Sequence, residues 1–391
     1  MNQQPLAIIG GDVLTPWEGF SPGLVTVEQG KIAYAGLMDK ARIPAGAAQL
    51  DASGKLVAPG LIDVHIHGSA GADFVRDGAA GLAKMARFLA THGVTAFLPT
   101  TPSAPIEQLQ QRIEVARQAA AAAAGAQVLG IHLEGPYLSP QQRGAHHPEY
   151  LRKPDAEECA RLVEGGRGAV KMITLAPELE GARDLIRWLR QHNVTVSLGH
   201  SVATYQEAKD ALDAGADHAC HLFNCMPDLN KREPGVAGAL LYDDRAFIEL
   251  IVDSAHIHPV MLRMAVRMKG ARRSLLISDA MEAAGMPDGS YELGGLKVIV
   301  KESTARLEDG RLAGSTLSLD RAVRNAIEIL EVSTEEAIAM ASQSPADSLG
   351  LTGKGRLTAG ADGDLVIFNQ DLSVAATIIA GEVIYEEDKL G

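Results

Sequence analysis

The chain has little cysteine and no long uninterrupted apolar run. Its 391 residues include three cysteines, Cys159, Cys220 and Cys225, an odd set without zinc-finger spacing that argues against a disulfide scaffold and favours a reducing compartment. No stretch reaches the roughly 18 apolar residues of a membrane span. The opening residues, MNQQPLAIIGGDVL, lack the basic segment and cleavage site of a secretory signal. These absences predict a soluble, cytoplasmic protein.

Positive charge is also scarce. The chain has 36 lysines and arginines against 49 aspartates and glutamates, for a formal net charge of −13. A surface with this balance repels a phosphate backbone and anionic lipid, so we expect neither nucleic acid nor a membrane as partner. An anionic substrate would need a local cationic pocket.

What the chain does have is a regular alternation of strand-like and helical segments. Within residues 58–352, apolar β-branched runs alternate with helical stretches, which is typical of a parallel sheet with crossover helices. Eight such runs begin at Leu61, Val94, Val128, Val170, Val194, His218, Phe247 and Ser274. Eight parallel strands close a (β/α)8 barrel, so that barrel is the predicted main domain of an α/β fold.

The two ends of the chain have a different texture, with short strand-like runs separated by glycine. We expect residues 1–57 and 353–391 to pair into one small β-sandwich domain. Two local predictions concern the barrel: the alanine run Ala119–Ala124 extends a helix, and the segment from Met281 to Ser318 forms hairpins around Asp288-Gly289 and Asp309-Gly310. This last segment follows the eighth strand and would wall the active site.

Two histidines in LIDVHIHG suggest a metal site. Side chains alternate faces along a strand, so His65 and His67 project the same way and can hold one ion. A lone His-x-His also occurs on solvated strands without any ligand. The pair alone therefore leaves both interpretations open.

Polar residues at the ends of the other barrel runs favour the metal. The residues in question are His65, His67, Glu134, His200, His221 and Asp279, and active residues of such barrels gather at the carboxyl ends of the strands. Imidazole and carboxylate suit divalent zinc or iron. A metal-activated hydroxide, with Asp279 as general acid and base, would hydrolyse a substrate bond. Taken singly, Glu134 and Asp279 also suit residues that cap turns.

The loops after these strands offer substrate contacts. Asn224, Cys225 and Arg232 follow the sixth strand, His256 follows the seventh, and His146 follows Glu134. The planar guanidinium of Arg232 suits phosphate, although a surface ion pair with Glu233 or Asp228 would explain it equally well. We interpret His132, deeper in the barrel, either as a residue that supports the ligands or as a core residue. The other histidines are interpreted as structural or solvated, namely His92, His147, His192, His218 and His258.

Several motifs resemble the amidohydrolase superfamily, and within it the N-acetylglucosamine-6-phosphate deacetylase family. They run along nearly the whole chain and include PGLIDVHIHG, HLEGPYL, RGAHHP, LGHS, HLFNCMP, REPGVAG, ISDAMEAAG and RLAGST. The resemblance implies hydrolysis of N-acetylglucosamine 6-phosphate to glucosamine 6-phosphate and acetate, a homodimer or homotetramer, and Arg232 reaching a neighbouring subunit's phosphate site.

The resemblance also implies roles for individual residues. Glu134, His200 and His221 match the principal ligands of a Zn²⁺ or Fe²⁺ ion, and Asp279 matches the general acid and base. Some members lack the first-strand histidines and hold one ion, so His65 and His67 raise the option of a second ion shared through Glu134. The sugar and phosphate contacts match Ala145, His146, Asn224, Cys225, Arg232, His256, Leu312, Ala313 and Gly314.

Three other functions compete with this one. The galacto epimer of the substrate is an alternative because one hydroxyl's orientation depends on loop geometry. A cyclic-amide hydrolase would bridge two metals with a carboxylated lysine, but Lys171 lies near the beginning of the fourth run, so Glu134 takes the bridging role. A non-catalytic barrel scaffold would have lost metal ligands, and none of the six is missing.

Overall fold

The protein folds around eight parallel strands that begin close to where the sequence predicts them. The structure, a computed structural model, describes residues 4–15, 17–121 and 125–387. The first to eighth barrel strands are Leu61–Ile66, Val94–Pro102, Ile131–Glu134, Val170–Leu175, Thr195–Leu198, His218–Ala219, Phe247–Leu250 and Ser274–Leu276. Each pairs in parallel with the next. The Asp279 N–H donates to the His65 carbonyl across 2.9 Å where the eighth strand meets the first. The predicted (β/α)8 barrel is confirmed.

Helices surround the barrel and follow its strands. They are α1 Phe74–Thr91, α2 Ile106–Ala119, α3 Ala156–Gly165, α4 Ala182–Gln191, α5 Tyr205–Ala214, α6 Gly235–Tyr242, α7 Pro259–Lys269, α8 Leu319–Asn325, α9 Thr334–Ala341 and α10 Gln343–Ser348. Local sequence explains their limits. In α5, Thr204 and Glu207 form a capping box, and Gly215 follows the last turn with φ of 120°.

The alanine run does not extend α2 as predicted. The helix ends at Ala119, and Ala120 and Ala121 form a turn. The rest of the run, residues 122–124, lies outside the described residues. Helix propensity alone did not decide where this helix stops.

The two ends of the chain build a β-sandwich beside the barrel. One sheet has strands Leu6–Ile9, Gly23–Glu28, Lys31–Leu37 and Ala48–Asp51, and the other has Asp12–Leu14, Gly19–Phe20, Leu56–Pro59, Leu365–Phe368, Val374–Ile379 and Glu382–Glu386. Leu56–Pro59 pairs antiparallel with Leu365–Phe368 and so joins the two ends. Their buried side chains form one apolar cluster that includes Ile8, Val57 and Ile378. The predicted sandwich is confirmed.

The predicted domain limits, 1–57, 58–352 and 353–391, stay a prediction. The strand Leu56–Pro59 crosses the limit between residues 57 and 58 and belongs to the sandwich sheet along its whole length. Residues 1–3, 16 and 388–391 of the predicted small domain lie outside the described residues.

A small antiparallel sheet follows the eighth barrel strand, within the predicted insertion. Its strands are Gly289–Leu293, Leu296–Lys301 and Thr304–Leu307. The prediction of a hairpin at Asp288-Gly289 is wrong, because Gly289 begins a strand and the reversal falls at Gly294-Gly295, where both residues have positive φ. Asp309-Gly310 does lie in a turn between paired residues.

Two short pairings complete the described strands: Gly68–Ser69 pairs with Ala72–Asp73, and Gln127–Val128 pairs with the second barrel strand. Within 4–15, 17–121 and 125–387, no helix is long and apolar enough to cross a bilayer.

Candidate metal centre and substrate pocket

The carboxyl ends of the barrel strands meet in one pocket. Its lining consists of His67, Pro102, Glu134, Gly144, Ala145, His146, His200, His221, Asn224, Cys225, His256, Asp279, Leu293, Arg311, Leu312, Ala313 and Gly314. Two residues predicted from the sequence do not line it. His65 lies beneath it, with no exposed surface, and Arg232 is exposed elsewhere on its loop.

One candidate ligand group is centred on a single oxygen of Glu134. Its Oε1 lies 2.9 Å from His200 Nε2 and 3.1 Å from His221 Nε2, and the two nitrogens are 3.2 Å apart. These three atoms come from the third, fifth and sixth strand ends. We call them the Glu134 group.

A second candidate ligand group uses the first and eighth strands. Asp279 Oδ1 lies 3.2 Å from His67 Nε2 and 3.6 Å from His65 Nε2. These three residues, the His65 group, have ligand atoms that all lie within 4.8 Å of one another. Glu134 stands between the groups, since its Oε1 is 3.7 Å from His65 Nε2 and its Oε2 is 3.6 Å from His67 Nε2.

Acceptors behind three of the rings fix which nitrogen carries the proton. His200 Nδ1 lies 2.8 Å from the Gln142 carbonyl, His67 Nδ1 lies 3.2 Å from the Thr100 carbonyl, and His65 Nδ1 lies 3.0 Å from a carboxylate oxygen of Glu249. A carbonyl or carboxylate only accepts, so each neutral ring keeps its proton on Nδ1. Nε2 is then the atom free to bind a cation.

The electrostatics around these rings favour positive charge. Burial lowers the pKa of His65, but Glu249, Asp279 and Glu134 outweigh burial and raise it to about 10. Burial raises the pKa of Glu134, yet the histidines around it hold it well below its ordinary value. Asp279 follows the same pattern beside His65 and His67. Both carboxylates are therefore ionised.

These residues fit a divalent metal ion. Four nitrogen or oxygen ligands about 2.0–2.1 Å from zinc in a tetrahedron stand roughly 3.3 Å apart, close to the spacing within the Glu134 group. In the His65 group, Nε2 of His65 is buried and has no hydrogen-bond partner among the described residues. Imidazole nitrogens and carboxylate oxygens are the donors that zinc and ferrous ions accept.

His146 differs from the ligand histidines. Its Nδ1 accepts from the Ser103 N–H across 3.1 Å and lies 3.0 Å from the Ser103 hydroxyl, so the proton of the neutral ring is on Nε2. Burial, with repulsion from neighbouring histidines, lowers the pKa of His146 to about 4 although Glu134 opposes the shift. His146 is thus a neutral hydrogen-bond donor that faces the pocket, 3.3 Å from Glu134 Oε2.

His256 brings a different character to the pocket rim. Its Nδ1 lies 2.7 Å from Asp253 Oδ2, and its side chain is 6% exposed. Burial lowers the pKa of His256, but the Asp253 carboxylate outweighs burial and raises it above its ordinary value. This ring is suited to contact an anion or a hydroxyl oxygen.

The backbone at three of these strand ends has an unusual conformation. The φ values of His200, His221 and Asp279 are 49°, 25° and 47°, in a region that residues other than glycine adopt at a cost. The surrounding hydrogen bonds hold them there. This fixes the side chains before any substrate binds.

Other predicted placements also agree with their interpretation. His132 is fully buried between Thr100 and Thr174, as expected of a core residue. Lys171 is half-buried and is the second residue of the fourth strand, Val170–Leu175. Arg232 forms no ion pair with Glu233 or Asp228 in the part of the chain that the structure describes.

The sequence reasoning missed four lining residues and the partners that orient the rings. Gly144 and Arg311 adjoin the predicted segments RGAHHP and RLAGST, and the Arg311 guanidinium donates to the Gly144 carbonyl. Their motifs could have found them. Pro102 and Leu293, in contrast, carry no chemical signal, because they only close the pocket.

Comparison with known proteins agrees with this architecture. The model of the "Amidohydrolase family" matches residues 56–384. The chain is 43% identical to the N-acetylgalactosamine-6-phosphate deacetylase of Escherichia coli O157:H7 over 87% of this chain and 90% of that protein. It is 40% identical to the N-acetylglucosamine-6-phosphate deacetylase of Vibrio furnissii over 93% and 91%.

A solved structure also superposes along nearly the whole chain. A variant of the N-acetyl-D-glucosamine-6-phosphate deacetylase from Mycobacterium smegmatis, in complex with N-acetyl-D-glucosamine 6-phosphate, gives a TM-score of 0.92 at 35% identity, covering 98% of this chain and 100% of that one. Since the family model covers most of the sequence and the relatives match along their lengths, the chain belongs to the amidohydrolase family.

Proposed function

We propose that the protein is a metal-dependent hydrolase that removes the acetyl group from N-acetylglucosamine 6-phosphate, giving glucosamine 6-phosphate and acetate. The observation that carries this proposal is the contrast among the histidines around Glu134. His65, His67 and His200 keep Nε2 free for a cation, whereas His146 presents an Nε2–H. Hydrolysis of an amide needs both, a site for the ion and a donor to the carbonyl oxygen.

The ion would be held by Glu134, His200 and His221, with room for a second ion at His65, His67 and Asp279. We infer zinc or ferrous iron from the donor set. When bound, such an ion lowers the pKa of water and polarises the amide carbonyl. Each subunit binds either one ion or two, and measurement of the metal content per subunit distinguishes these alternatives.

The chain's own groups supply the proton transfers. His146 Nε2–H donates to the acetamide oxygen and stabilises the charge that develops there. The Asp279 carboxylate accepts the proton of the attacking water and delivers it to the leaving nitrogen, because an amine leaves poorly without that proton. Its pKa, held low by His65 and His67, keeps it ready to accept.

Recognition of the phosphate needs positively charged side chains, and the pocket of one chain has few of them. His256 carries a raised pKa, but Arg311 is already paired with Asp309. We infer that Arg232, exposed and outside its own pocket, reaches the phosphate site of a neighbouring subunit in a homodimer or homotetramer. The few cysteines, which suit a reducing compartment, support a cytoplasmic location.

Deacetylation of the galacto epimer is the second candidate. The 43% identity to an N-acetylgalactosamine-6-phosphate deacetylase favours it. Three relatives named for the gluco epimer, from Vibrio furnissii, Lysinibacillus sphaericus and Bacillus subtilis, are 37–40% identical. The ligand groups and His146 serve either epimer. Discrimination between the two epimers therefore depends on contacts with the one sugar hydroxyl that differs between them.

A deacetylation assay on protein of known metal content tests the function. The substrates are the two N-acetylhexosamine 6-phosphates, unphosphorylated N-acetylglucosamine and dihydroorotate. We expect the highest kcat/KM with N-acetylglucosamine 6-phosphate. A higher value with the galacto epimer would select the second candidate, turnover of dihydroorotate alone would select cyclic-amide hydrolysis, and a metal-free inert protein would indicate a scaffold.

Arg232→Ala tests the phosphate contact separately. A lost charged hydrogen bond is worth about 1.5–3 kcal/mol, so kcat/KM for the phosphorylated sugar should fall roughly 10- to 100-fold. Activity on the unphosphorylated sugar should stay unchanged. An equal loss on both sugars would contradict the assignment, and sedimentation of the wild-type protein as a monomer would contradict the role across subunits.

A further inference from the structure

Glu249 is a buried carboxylate that the proposed chemistry does not use. It lies in the seventh barrel strand, Phe247–Leu250, and its side chain has no exposed surface. A buried charge is costly unless partners surround it. The groups that contact Glu249 therefore indicate its role.

One oxygen of Glu249 contacts both candidate ligand groups. Oε2 lies 3.0 Å from His65 Nδ1 and accepts from the His221 N–H across 3.0 Å. Oε1 lies 3.2 Å from Nε2 of His218, a fully buried ring behind the pocket. Oε1 thus faces the His218 ring, while Oε2 contacts a ligand from each group.

We propose that Glu249 is a positioning residue for both ligand groups, an inference that rests on the proposed metal-dependent function. It orients His65 toward the ion of the His65 group and holds the His221 backbone for the ion of the Glu134 group. With its Nδ1–H bound to Glu249, His65 directs Nε2 into the gap between Glu134 and Asp279, 3.7 and 3.6 Å away. Without that acceptor, the ring can place its proton on either nitrogen and rotate.

The contact with His221 acts on the backbone. His221 has a φ of 25°, and its N–H would be an unpaired buried donor without Glu249. Anchoring this N–H keeps the strand end in the conformation that aims His221 Nε2 at Glu134. A carboxylate accepts both hydrogen bonds on one oxygen with full negative charge, which a neutral side chain of the same size does not reproduce.

Zinc binding measured on the full-length protein tests the proposal without an activity assay. Glu249→Met removes the acceptor at similar volume, and Glu249→Gln keeps the shape but removes the charge. We expect wild type to bind two zinc ions, and both variants to bind the ion of the His65 group about 10- to 100-fold more weakly. Glu178→Gln is the matched control, because Glu178 accepts from Ser201 and Val202 beside His200 and contacts no ligand ring.

A second readout follows the hydrogen bond itself. In ¹⁵N-histidine-labelled protein, the His65 Nδ1 proton should resonate far downfield when it bonds a carboxylate, with or without zinc, and His65→Asn assigns the signal. We expect the signal in wild type and Glu178→Gln, and its loss or upfield shift in both Glu249 variants. If Glu249→Met does not fold, Glu249→Gln gives both readouts.

The outcomes separate this proposal from the proposed function. Unchanged zinc affinities and an unchanged Nδ1 signal in the Glu249 variants would overturn it. An active wild type that holds only one ion would also overturn it while the deacetylase function stands. A wild type that binds no ion and does not deacetylate would refute the proposed function, and the Nδ1 signal would still report whether Glu249 orients His65.

Discussion

The two ligand groups differ in what holds them, although they meet at Glu134. The His200 ring is fixed by the carbonyl of Gln142, which ends the short 3-10 helix Pro140–Gln142 after the third strand. The backbones of His200 and His221 have positive φ. His65 instead lies in the regular first strand, Leu61–Ile66, and His67 is the next residue after its end. Both rings lie near Asp279 Oδ1. The histidines of the Glu134 group are therefore held in connections after strand ends, whereas those of the His65 group lie in the first strand and directly after it. The carboxylates reverse this order, since Glu134 ends a strand and Asp279 follows one with a φ of 47°.

The charges of the two groups differ as well. The Glu134 group has one carboxylate for two rings. The His65 group has the carboxylate of Asp279, and Glu249 lies behind the His65 ring as a second carboxylate. The second group is thus richer in negative charge and suits a cation strongly, yet its carboxylate Asp279 is also the group needed for proton transfer. We expect the Glu134 group to support catalysis and the His65 group to tune it.

Asp279→Asn should have the largest effect. Asparagine keeps the size of the side chain but neither accepts nor returns the proton, so turnover should fall about 10³- to 10⁴-fold. The ion at the Glu134 group should remain, as counted by elemental analysis. A near-normal rate would remove Asp279 from this role, and loss of all bound metal would make it mainly a ligand.

A matched pair of substitutions, His200→Asn and His65→Asn, compares the two groups directly. Loss of an ion that stabilises developing charge costs several kcal/mol, so His200→Asn should lower kcat about 1,000-fold or more. His65→Asn should cost only about tenfold and remove one ion from the stoichiometry. Equal losses, or a larger loss from His65→Asn, would reverse the assignment of the catalytic ion.

The sequence predicts the fold well, and it places the candidate ligands at one end of the barrel, because both inferences follow from periodic patterns. Apolar β-branched runs mark most of the barrel strands, the sixth, His218–Ala219, being the exception, and active residues of such barrels gather at the carboxyl ends of the strands. His65, Glu134 and Asp279 could therefore be placed together from the sequence alone. The hairpin expected at Asp288-Gly289 failed because a two-residue turn signal does not show which of several glycines reverses the chain.

The protonation of the rings could not be predicted in this way. The groups that fix it at His67, His146 and His200 include backbone atoms of Thr100, Ser103 and Gln142, and every residue has such atoms. Glu249 was visible as a carboxylate within an apolar run. Whether Glu249 can contact the ligand groups depends on which side of the barrel wall its side chain faces, and the sequence does not show this.

Chelation of the metal should make stability depend on pH through the His65 group. In the protein without an ion, burial lowers the pKa of His65 but the carboxylates raise it to about 10, against about 6.5 in the unfolded chain. The folded state then binds the extra proton, so this stability is present below about pH 6.5 and is lost as pH rises through 10. Thermal unfolding should show Tm falling by a few degrees over this window.

The metal-loaded protein and His65→Asn are the controls for that measurement. An ion on Nε2 prevents protonation there, and asparagine does not titrate, so both should lack most of the decline. A chelated wild type whose Tm is flat from pH 7 to 10 would show that the His65 group does not concentrate negative charge as the structure indicates.

Ser103→Ala should have the smallest effect and tests the contrast between His146 and the ligand rings. The substitution removes one hydroxyl from His146 Nδ1 but keeps the Ser103 N–H, so the proton stays on Nε2. Loss of a neutral hydrogen bond of about 0.5–1.5 kcal/mol should lower kcat roughly 2- to 10-fold with little change in KM. His146→Asn, which removes the donor, should cost about 10²- to 10³-fold. If both variants lose activity equally, the hydroxyl rather than the backbone N–H orients His146.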